Sequence, residues 1–166
     1  MSSSEERIAR MLDKEDIREA LLHYTRGIDR HDVSIMTKAY HADATDDHGE
    51  YNGTAAGFIE YANRVHSDGF FAHQHYVGNH TIELDGDTAR TETYFLASLR
   101  RDDGATMLCG GRYIDKFERR DGKWAIAHRT SMLEWAGDLV NSTFTSKFET
   151  DSRAKWDHTD LSYQRQ

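Results

Sequence analysis

Three polar side chains in this sequence have the chemistry of a proton-transfer site. Tyr24 and Asp29 lie at the end of the first predicted helix, and a His-Gln-His segment, His73 to His75, lies in the middle of the chain. Imidazole titrates near neutrality, so it can take a proton from carbon, while an acid and a phenol can orient it or donate hydrogen bonds. The sequence therefore predicts general acid–base chemistry, provided that the fold brings these elements together.

The His-x-His spacing also raises the possibility of a metal site. His73 and His75 would lie on one face of a strand, as metal ligands often do, and His80 follows. The cupin pattern, however, needs a Glu soon after the pair, whereas the first acid downstream is Glu83, eight residues past His75. The helical first half does not fit a cupin either. We therefore predict no metal and no other cofactor, with His75 as the base and His73 as a bystander.

Composition argues against several classes of function. The chain has 166 residues, which suits one domain, and its net charge of −8 argues against nucleic acid or an anionic membrane as partner. No stretch resembles a signal peptide or a membrane span. The single cysteine, Cys109, allows no internal disulfide and is expected to be a small buried strand residue. These features predict a cytoplasmic protein.

The first half of the chain reads as helical. Asp13 is a predicted N-cap, followed by an apolar stripe at steps of four, three and four residues. Asp32 is predicted to cap a short second helix that reaches Tyr40, and Thr54 to cap a third. Tyr24 and Asp29 lie about 140° apart on a straight helix, so sharing one face would require the helix to loosen, for which Gly27 is the candidate.

The second half predicts a meander of long antiparallel strands. Asp-Gly pairs at 85–86, 103–104 and 121–122 separate segments rich in β-branched and aromatic residues, which is a strong hairpin signal. The predicted strands are a short one near 43–51 at an edge, then 74–84, 88–101, 106–119 and 123–136. Helices first and a curved sheet second define an α+β class with a conical cavity suited to a small ligand.

Strand phase raises a difficulty for His75. In a regular strand, Ile82 and Leu84 would point away from the face that carries His75. Either Gly78 marks a bulge that shifts the phase, or the cavity face is the polar one.

The order of elements and three motifs resemble the SnoaL-like branch of the NTF2-like superfamily. The motifs are residues 24–32, the Gly-Glu-Tyr-Asn-Gly segment at 49–53, and residues 111–124 with the His128-Arg129 pair that follows. The resemblance implies N-terminal helices packed on a strongly curved mixed or antiparallel sheet that encloses a cavity. It implies a domain at 1–137, a tail at 138–166 that packs on the domain or a neighbouring subunit, and a homo-oligomer, dimer or trimer.

Three enzyme groups of this branch resemble the chain at the predicted site: scytalone dehydratases, bile acid 7α-dehydratases and hexachlorocyclohexane dehydrochlorinases. Each pairs an Asp at the end of the first helix with a His on the sheet, and these positions match Asp29 and His75. The two dehydratases carry a Tyr near the Asp, as Tyr24 does here, and the dehydrochlorinases carry an Arg that matches Arg129. The bile-acid enzymes have a further acid where this chain has Ala97, which argues against identical chemistry.

The resemblance implies a cofactor-independent lyase of the dehydratase type or an isomerase. His75, aided by Asp29, would abstract a proton from a small apolar oxygenated molecule, such as a polyketide, steroid, terpenoid or aromatic compound. Tyr24 would donate a hydrogen bond, and Arg129 would stabilise an oxyanion. The expected pocket wall comprises Met36, Tyr40, Phe58, Tyr61, Phe71, Met107, Met132 and Trp135.

Two other functions remain open from the sequence. One is a non-catalytic NTF2-like subunit of the type found in ring-hydroxylating dioxygenases, and the other is a small-ligand-binding module. The separation of the Asp29 carboxylate from the His75 ring discriminates, because a distance beyond about 6 Å would exclude the enzyme.

Overall fold

Helices dominate the first part of the fold and long strands the second, as the sequence predicts. The computed structural model describes residues 3–139, 156–160 and 163. The helices are α1 (Ser4–Arg30), α2 (Val33–Met36), which runs into a 3₁₀ turn (Thr37–Ala39), and α3 (Ala55–Gly69). The strands are β1 (Tyr40–Asp47), β2 (Asn52–Thr54), β3 (Ala72–Asp85), β4 (Thr88–Arg100), β5 (Thr106–Arg120) and β6 (Lys123–Leu139).

Helix α1 begins earlier than the sequence analysis predicts. Ser3 and Glu6 form a capping box: the Ser3 hydroxyl accepts from the Glu6 N–H at 3.1 Å, and the Glu6 carboxylate accepts from the Ser3 N–H at 2.7 Å. The predicted cap at Asp13 is wrong, because Asp13 lies within the helix and accepts hydrogen bonds from Arg119 and the Trp124 indole. Among the described residues, no helix is both long and apolar enough to cross a membrane.

The sheet has six strands in the order β2-β1-β6-β5-β4-β3. All neighbours are antiparallel except β1 and β6, which pair in parallel. The strand predicted at the edge near 43–51 is β1. It is second from the edge, because β2 forms a hairpin with it and is itself the edge strand. The core lies between the helices and the sheet, where Ile17, Phe117 and Ile126 have no exposed surface. The α+β class and the curved, open architecture are confirmed.

A bulge in β3 resolves the conflict over the phase of His75. Val77 pairs with Phe95 but His80 pairs with Thr93, so Gly78 and Asn79 together face one residue of β4. The extra residue reverses the alternation: His75 and Ile82 both point inward, although a regular strand would place them on opposite faces. The first of the two alternatives, a bulge at Gly78, is the one that the structure contains.

The C-terminal tail lies largely outside the described residues, including all of 140–155. Two of its described side chains contact the turn between α1 and α2. The Trp156 ring lies 4.1 Å from the His31 ring, centroid to centroid, and the Tyr163 hydroxyl donates to Asp32 at 2.7 Å. The division into a domain at 1–137 and a tail at 138–166 stays a prediction.

Candidate active site

A cavity of about 610 Å³ opens between the helices and the concave face of the sheet. Its size falls within the range of small-molecule sites in proteins. The wall is mostly aromatic and aliphatic, with a few hydroxyl, carboxylate and imidazole groups. Residues from every long element line it: Tyr24, Ile28, His48, Gly49, Glu50, Phe58, Tyr61, Ala62, Val65, His66, His75, Phe95, Ala97, Leu99, Met107, Cys109, Tyr113, Ser131 and Leu133.

Asp29 and His75 meet at the edge of this cavity. The Asp29 Oδ1 lies 2.7 Å from the His75 Nδ1, far inside the 6 Å limit that the sequence analysis sets. The His75 backbone N–H also donates to the Asp29 carboxylate, at 3.0 Å to Oδ2 and 3.1 Å to Oδ1. This double attachment fixes the carboxylate to strand β3, so the imidazole is held in one orientation. With Nδ1 donating to Asp29, the lone pair of His75 is on Nε2.

His73 is not a bystander in this arrangement. It is buried, and its Nδ1 lies 3.2 Å from the same Asp29 oxygen that contacts His75. Its Nε2 lies 2.9 Å from the Nε2 of His31, whose Nδ1 is 3.3 Å from the Ser67 hydroxyl. Because a carboxylate can only accept, His73 Nδ1 donates to Asp29, and its Nε2 shares the next hydrogen bond with Nε2 of His31. A continuous hydrogen-bonded chain therefore leads from His75 to exposed Ser67.

The surroundings of Asp29 keep it ionised and those of His66 keep it neutral. Burial by itself raises the pKa of Asp29, but hydrogen bonds from His73 and His75 outweigh it and lower the pKa to about 2. Burial, together with His73 and His75, lowers the pKa of His66 to about 2. His66 lines the cavity beside His75, with the two rings stacked at 5.7 Å. The site thus combines a fixed negative charge on Asp29 with a neutral imidazole at His66.

The same side chains are the ones that could hold a metal ion. One ligand atom from each of Asp29, His73 and His75 lies within 4.8 Å of the other two. In the structure these atoms are hydrogen-bonded to one another, which accounts for their proximity. The absence of a metal stays a prediction.

Tyr24 and Asp29 reach different parts of the site, as their 140° separation requires. Helix α1 continues regularly through Arg30, so it does not loosen at Gly27 and the two side chains do not share one face. Gly27 instead allows α2 to approach, since a Cβ there would meet the Met36 backbone nitrogen at 2.5 Å. Tyr24 lines the cavity, and its hydroxyl lies 3.4 Å from the Nε2 of His48. Burial raises the pKa of Tyr24 well above its ordinary value, so the phenol keeps its proton.

Arg129 lies behind the cavity wall rather than on it. Its guanidinium donates to both Asp115 oxygens at 2.7 Å, and neither side chain has exposed surface. The guanidinium carbon lies 4.1 Å from the Tyr24 ring centroid and 4.2 Å from that of Tyr113. These two rings separate it from the ligand space, so Arg129 holds the tyrosines in place and does not have the contact with a substrate oxygen that the sequence analysis expects.

Three of the eight expected pocket residues line the cavity, namely Phe58, Tyr61 and Met107. The other five do not, and the prediction needs correction there. Met36 and Tyr40 are buried in the core, and Phe71 is 54% exposed. Met132 and Trp135 do not line the cavity, whereas their neighbours Ser131 and Leu133 do, Leu133 with 62% of its surface still exposed. The register of β5 with β6 shifts at Glu134, which puts Trp135 on the outer face opposite Gly110.

Sequence reasoning missed several polar residues of the site. His48, which follows β1, lines the cavity and is hydrogen-bonded through Nδ1 to Asp46. Tyr113, His66, Glu50 and Ser131 are further polar residues of the wall that the sequence analysis does not name as pocket residues. The Asp-Asp-His run at 46–48 was the available signal for the pair of His48 and Asp46. A histidine two residues after an acid at the end of a strand can turn its ring back and hydrogen-bond to that acid.

This combination of helices on a curved open sheet, with an Asp–His pair in the cavity, defines an NTF2-like protein. The SnoaL-like domain family matches residues 9–130. The chain therefore belongs to the SnoaL-like family of the NTF2-like superfamily, as its motifs predict.

Individual relatives are distant in sequence. The uncharacterized protein Rv2910c of Mycobacterium tuberculosis is 25% identical over 127 residues, which cover 74% of this chain and 86% of that protein. A hexachlorocyclohexane dehydrochlorinase, LinA type 2, has a similar structure with a TM-score of 0.78, 19% identity, and coverage of 85% of this chain and 98% of that one. A candidate scytalone dehydratase from Novosphingobium aromaticivorans also has a similar structure, with a TM-score of 0.70 and 16% identity. The match covers 78% of this chain and 89% of that one. Identities this low show the shared fold alone.

Proposed function

We propose that this protein is a cofactor-independent lyase of the dehydratase type, or an isomerase, in which His75 abstracts a proton from carbon. The observation that carries the proposal is the 2.7 Å contact between Asp29 Oδ1 and His75 Nδ1 on the wall of a 610 Å³ cavity. The SnoaL-like family and the fold shared with dehydrochlorinase and dehydratase-like proteins agree with it.

The proposed reaction begins with His75 in its neutral form. Because Nδ1 donates to Asp29, Nε2 is the atom that takes the substrate proton. The imidazolium so formed is stabilised by Asp29, whose lowered pKa keeps it negatively charged throughout. A base positioned in this way contributes about 10²–10⁴-fold in rate.

The cavity wall indicates the class of substrate. Aliphatic and aromatic side chains such as Phe58, Phe95 and Leu99 form most of the surface, and the hydroxyl and imidazole groups are few. A small, largely apolar molecule with one or two oxygens satisfies such a wall, since it leaves few buried polar groups without partners. We infer a polyketide, steroid, terpenoid or aromatic substrate on that basis.

Carbon-acid probes test the proposed base without knowledge of the natural substrate. Exchange of the acidic C–H protons of 2-tetralone and of a Δ5-3-ketosteroid is followed by proton NMR in D₂O. We expect the protein to accelerate exchange, and His75→Gln to lower the accelerated rate about 100-fold or more. His128→Gln is the matched control, because His128 is exposed and does not line the cavity.

The outcomes separate the three functions. An unchanged rate in His75→Gln would exclude His75 as the base. Binding of both ketones in a thermal-shift assay, without exchange, would favour a ligand-binding module. Neither binding nor exchange would favour a non-catalytic subunit.

We further propose that the chain forms a homo-oligomer, a dimer or trimer, and acts in the cytoplasm on a small-molecule partner. Size-exclusion chromatography of the full chain and of a chain truncated after Asp138 tests the oligomer and the part of the tail in it. A monomeric elution volume for the full chain would exclude the oligomer.

A further inference from the structure

The cavity contains a second histidine–carboxylate pair, which the proposed base does not use. His48 lines the cavity, and its Nδ1 is hydrogen-bonded to the Asp46 carboxylate. Its ring stacks on Phe58 at 4.0 Å and 17°, which fixes the plane of the imidazole. His48 comes from the end of β1 and His75 from β3, so the two pairs enter the cavity from different elements.

The carboxylate of this pair, Asp46, lies in the protein interior and not at the surface. Asp46 has no exposed surface, and its Oδ2 accepts from the Tyr40 hydroxyl at 2.7 Å. Tyr40 can only donate there, because burial raises its pKa well above the ordinary value. Both Asp46 oxygens are therefore taken, one by Tyr40 and one by His48. A buried carboxylate is costly unless it is fully hydrogen-bonded, and Asp46 meets that condition only with His48 in place.

The ring nitrogen of His48 that does not contact Asp46 lies beside the hydroxyl group of Tyr24. With Nδ1 donating to Asp46, Nε2 lies 3.4 Å from the Tyr24 hydroxyl. That separation is long for a hydrogen bond, and such contacts are commonly loose before a ligand binds. Tyr24 is held from behind by Arg129, whose guanidinium lies 4.1 Å from its ring. An oxygen atom of a ligand at this point of the wall would have both Nε2 of His48 and the Tyr24 hydroxyl within reach.

We propose that His48 is a second catalytic residue, which donates a proton or a hydrogen bond to the substrate oxygen, with Asp46 as its positioning residue. This inference rests on the proposed function, because it supplies the acid that complements the base His75. The substrate would lie with its acidic C–H at His75 and its oxygen at His48.

In an elimination of water, His75 Nε2 takes a proton from carbon, and the C–H electron pair becomes the new C=C bond. The C–O bond breaks, and the leaving oxygen receives the Nε2 proton of a protonated His48, so that water departs. His75 then carries one more proton and His48 one fewer, and exchange with solvent restores both. In an isomerisation His48 would instead donate a hydrogen bond to the enolate oxygen as it forms.

Phenolate binding tests the oxygen site separately from the base. 4-Nitrophenol is titrated into the protein and its visible absorption band followed, with nitrobenzene, which lacks the hydroxyl, as the control ligand in a thermal-shift assay. We expect His48→Gln to weaken 4-nitrophenolate binding about tenfold or more, since a hydrogen bond to a charged group is lost, and to leave nitrobenzene binding unchanged. His128→Gln, a change at an exposed histidine that does not line the cavity, should leave the phenolate affinity as in the wild type.

Three outcomes overturn the inference: wild-type phenolate affinity in His48→Gln, an equal loss in His128→Gln, or a loss of nitrobenzene binding along with the phenolate. None of these depends on the exchange assay for His75, so the base and the oxygen site can fail independently. Should His48→Gln not fold, long-range proton–nitrogen NMR of the wild type decides. The His48 ring nitrogens must shift with 4-nitrophenol and not with nitrobenzene, and unshifted signals would refute the assignment.

Asp46→Asn tests the positioning role. We expect weaker phenolate binding together with a changed nitrogen spectrum of the His48 ring, while the signals of His75 stay in place. Weaker binding with an unaltered His48 spectrum would show that Asp46 acts only through packing.

Discussion

Arg129 and Asp115 form a bidentate ion pair, with both hydrogen bonds at 2.7 Å, at a position where neither side chain is exposed. The pair lies behind Tyr24 and Tyr113 and supports the wall that carries the polar groups of the cavity. An arginine that resembles a catalytic one in sequence therefore has a supporting position in the structure.

Removing one partner of this ion pair should be strongly destabilising. Arg129→Met leaves Asp115 buried without its partner, which typically costs about 3–5 kcal/mol in the free energy of unfolding. Arg129→Met combined with Asp115→Leu should recover most of that loss, because no charge remains in the core. Urea denaturation of the three proteins measures both effects.

Arg120 provides the matched control for that experiment, since its ion pair with Asp43 is largely exposed. Arg120→Met should leave the urea midpoint close to that of the wild type, because exposed ion pairs contribute little to stability. The supporting role would be contradicted if Arg129→Met had wild-type stability but lost ketone exchange. That result would indicate that Arg129 contacts the substrate.

Asp29→Asn should impair both stability and proton transfer. The amide cannot accept from His73, His75 and the His75 backbone as the carboxylate does, so at least one buried donor loses its partner, at about 1–3 kcal/mol. The His75 ring is then free to take the other tautomer, and exchange of 2-tetralone should fall about 100-fold or more. Asp68→Asn is the control: Asp68 is exposed on α3 and does not line the cavity, so neither stability nor exchange should change much.

Stability should fall on mild acidification because of His66. Its pKa is about 2 in the folded protein and 6.5 ordinarily, so between these values the unfolded chain binds a proton that the folded chain does not. The free energy of unfolding therefore decreases as the pH falls below 6.5, by about 1.4 kcal/mol per pH unit from this group. His66→Phe should reduce the loss between pH 7 and pH 5 by about 2 kcal/mol in urea titrations. The same pH dependence in the variant and the wild type would disprove the assignment, and exposed His128→Phe serves as control.

Gly27→Ala should destabilise the protein although alanine favours helices. A Cβ at Gly27 would meet the Met36 backbone at 2.5 Å, and relieving that overlap requires α2 to move, at about 1–3 kcal/mol. Gly69→Ala, in α3 with no heavy atom within 4 Å of the added Cβ, carries no such penalty. Thermal denaturation should show a lower midpoint for Gly27→Ala only. Equal midpoints in the two variants would contradict the close packing of α1 against α2 at Gly27.

Local patterns in the sequence were sufficient for most of the fold. Thr54 caps α3 as predicted, with its hydroxyl accepting from the Gly57 N–H, and the three Asp-Gly turns connect the strands that they were expected to connect. Capping and turn formation depend on residues within a few positions of one another, so one sequence is enough to find them. The start of α1 was missed because its first two turns carry no apolar stripe, although the Ser-x-x-Glu signal was present.

By itself the sequence determined the α+β order, the strands and their turns, and the candidate residues Asp29 and His75. Only the tertiary structure decided which polar groups share the cavity. It placed His75 inward through the bulge at Gly78, buried Arg129 against Asp115, and put His48 opposite Tyr24. The physical reason is that a one-residue bulge reverses the face of every later side chain, and that the partner of a buried charge is set by long-range packing rather than by its neighbours in the chain.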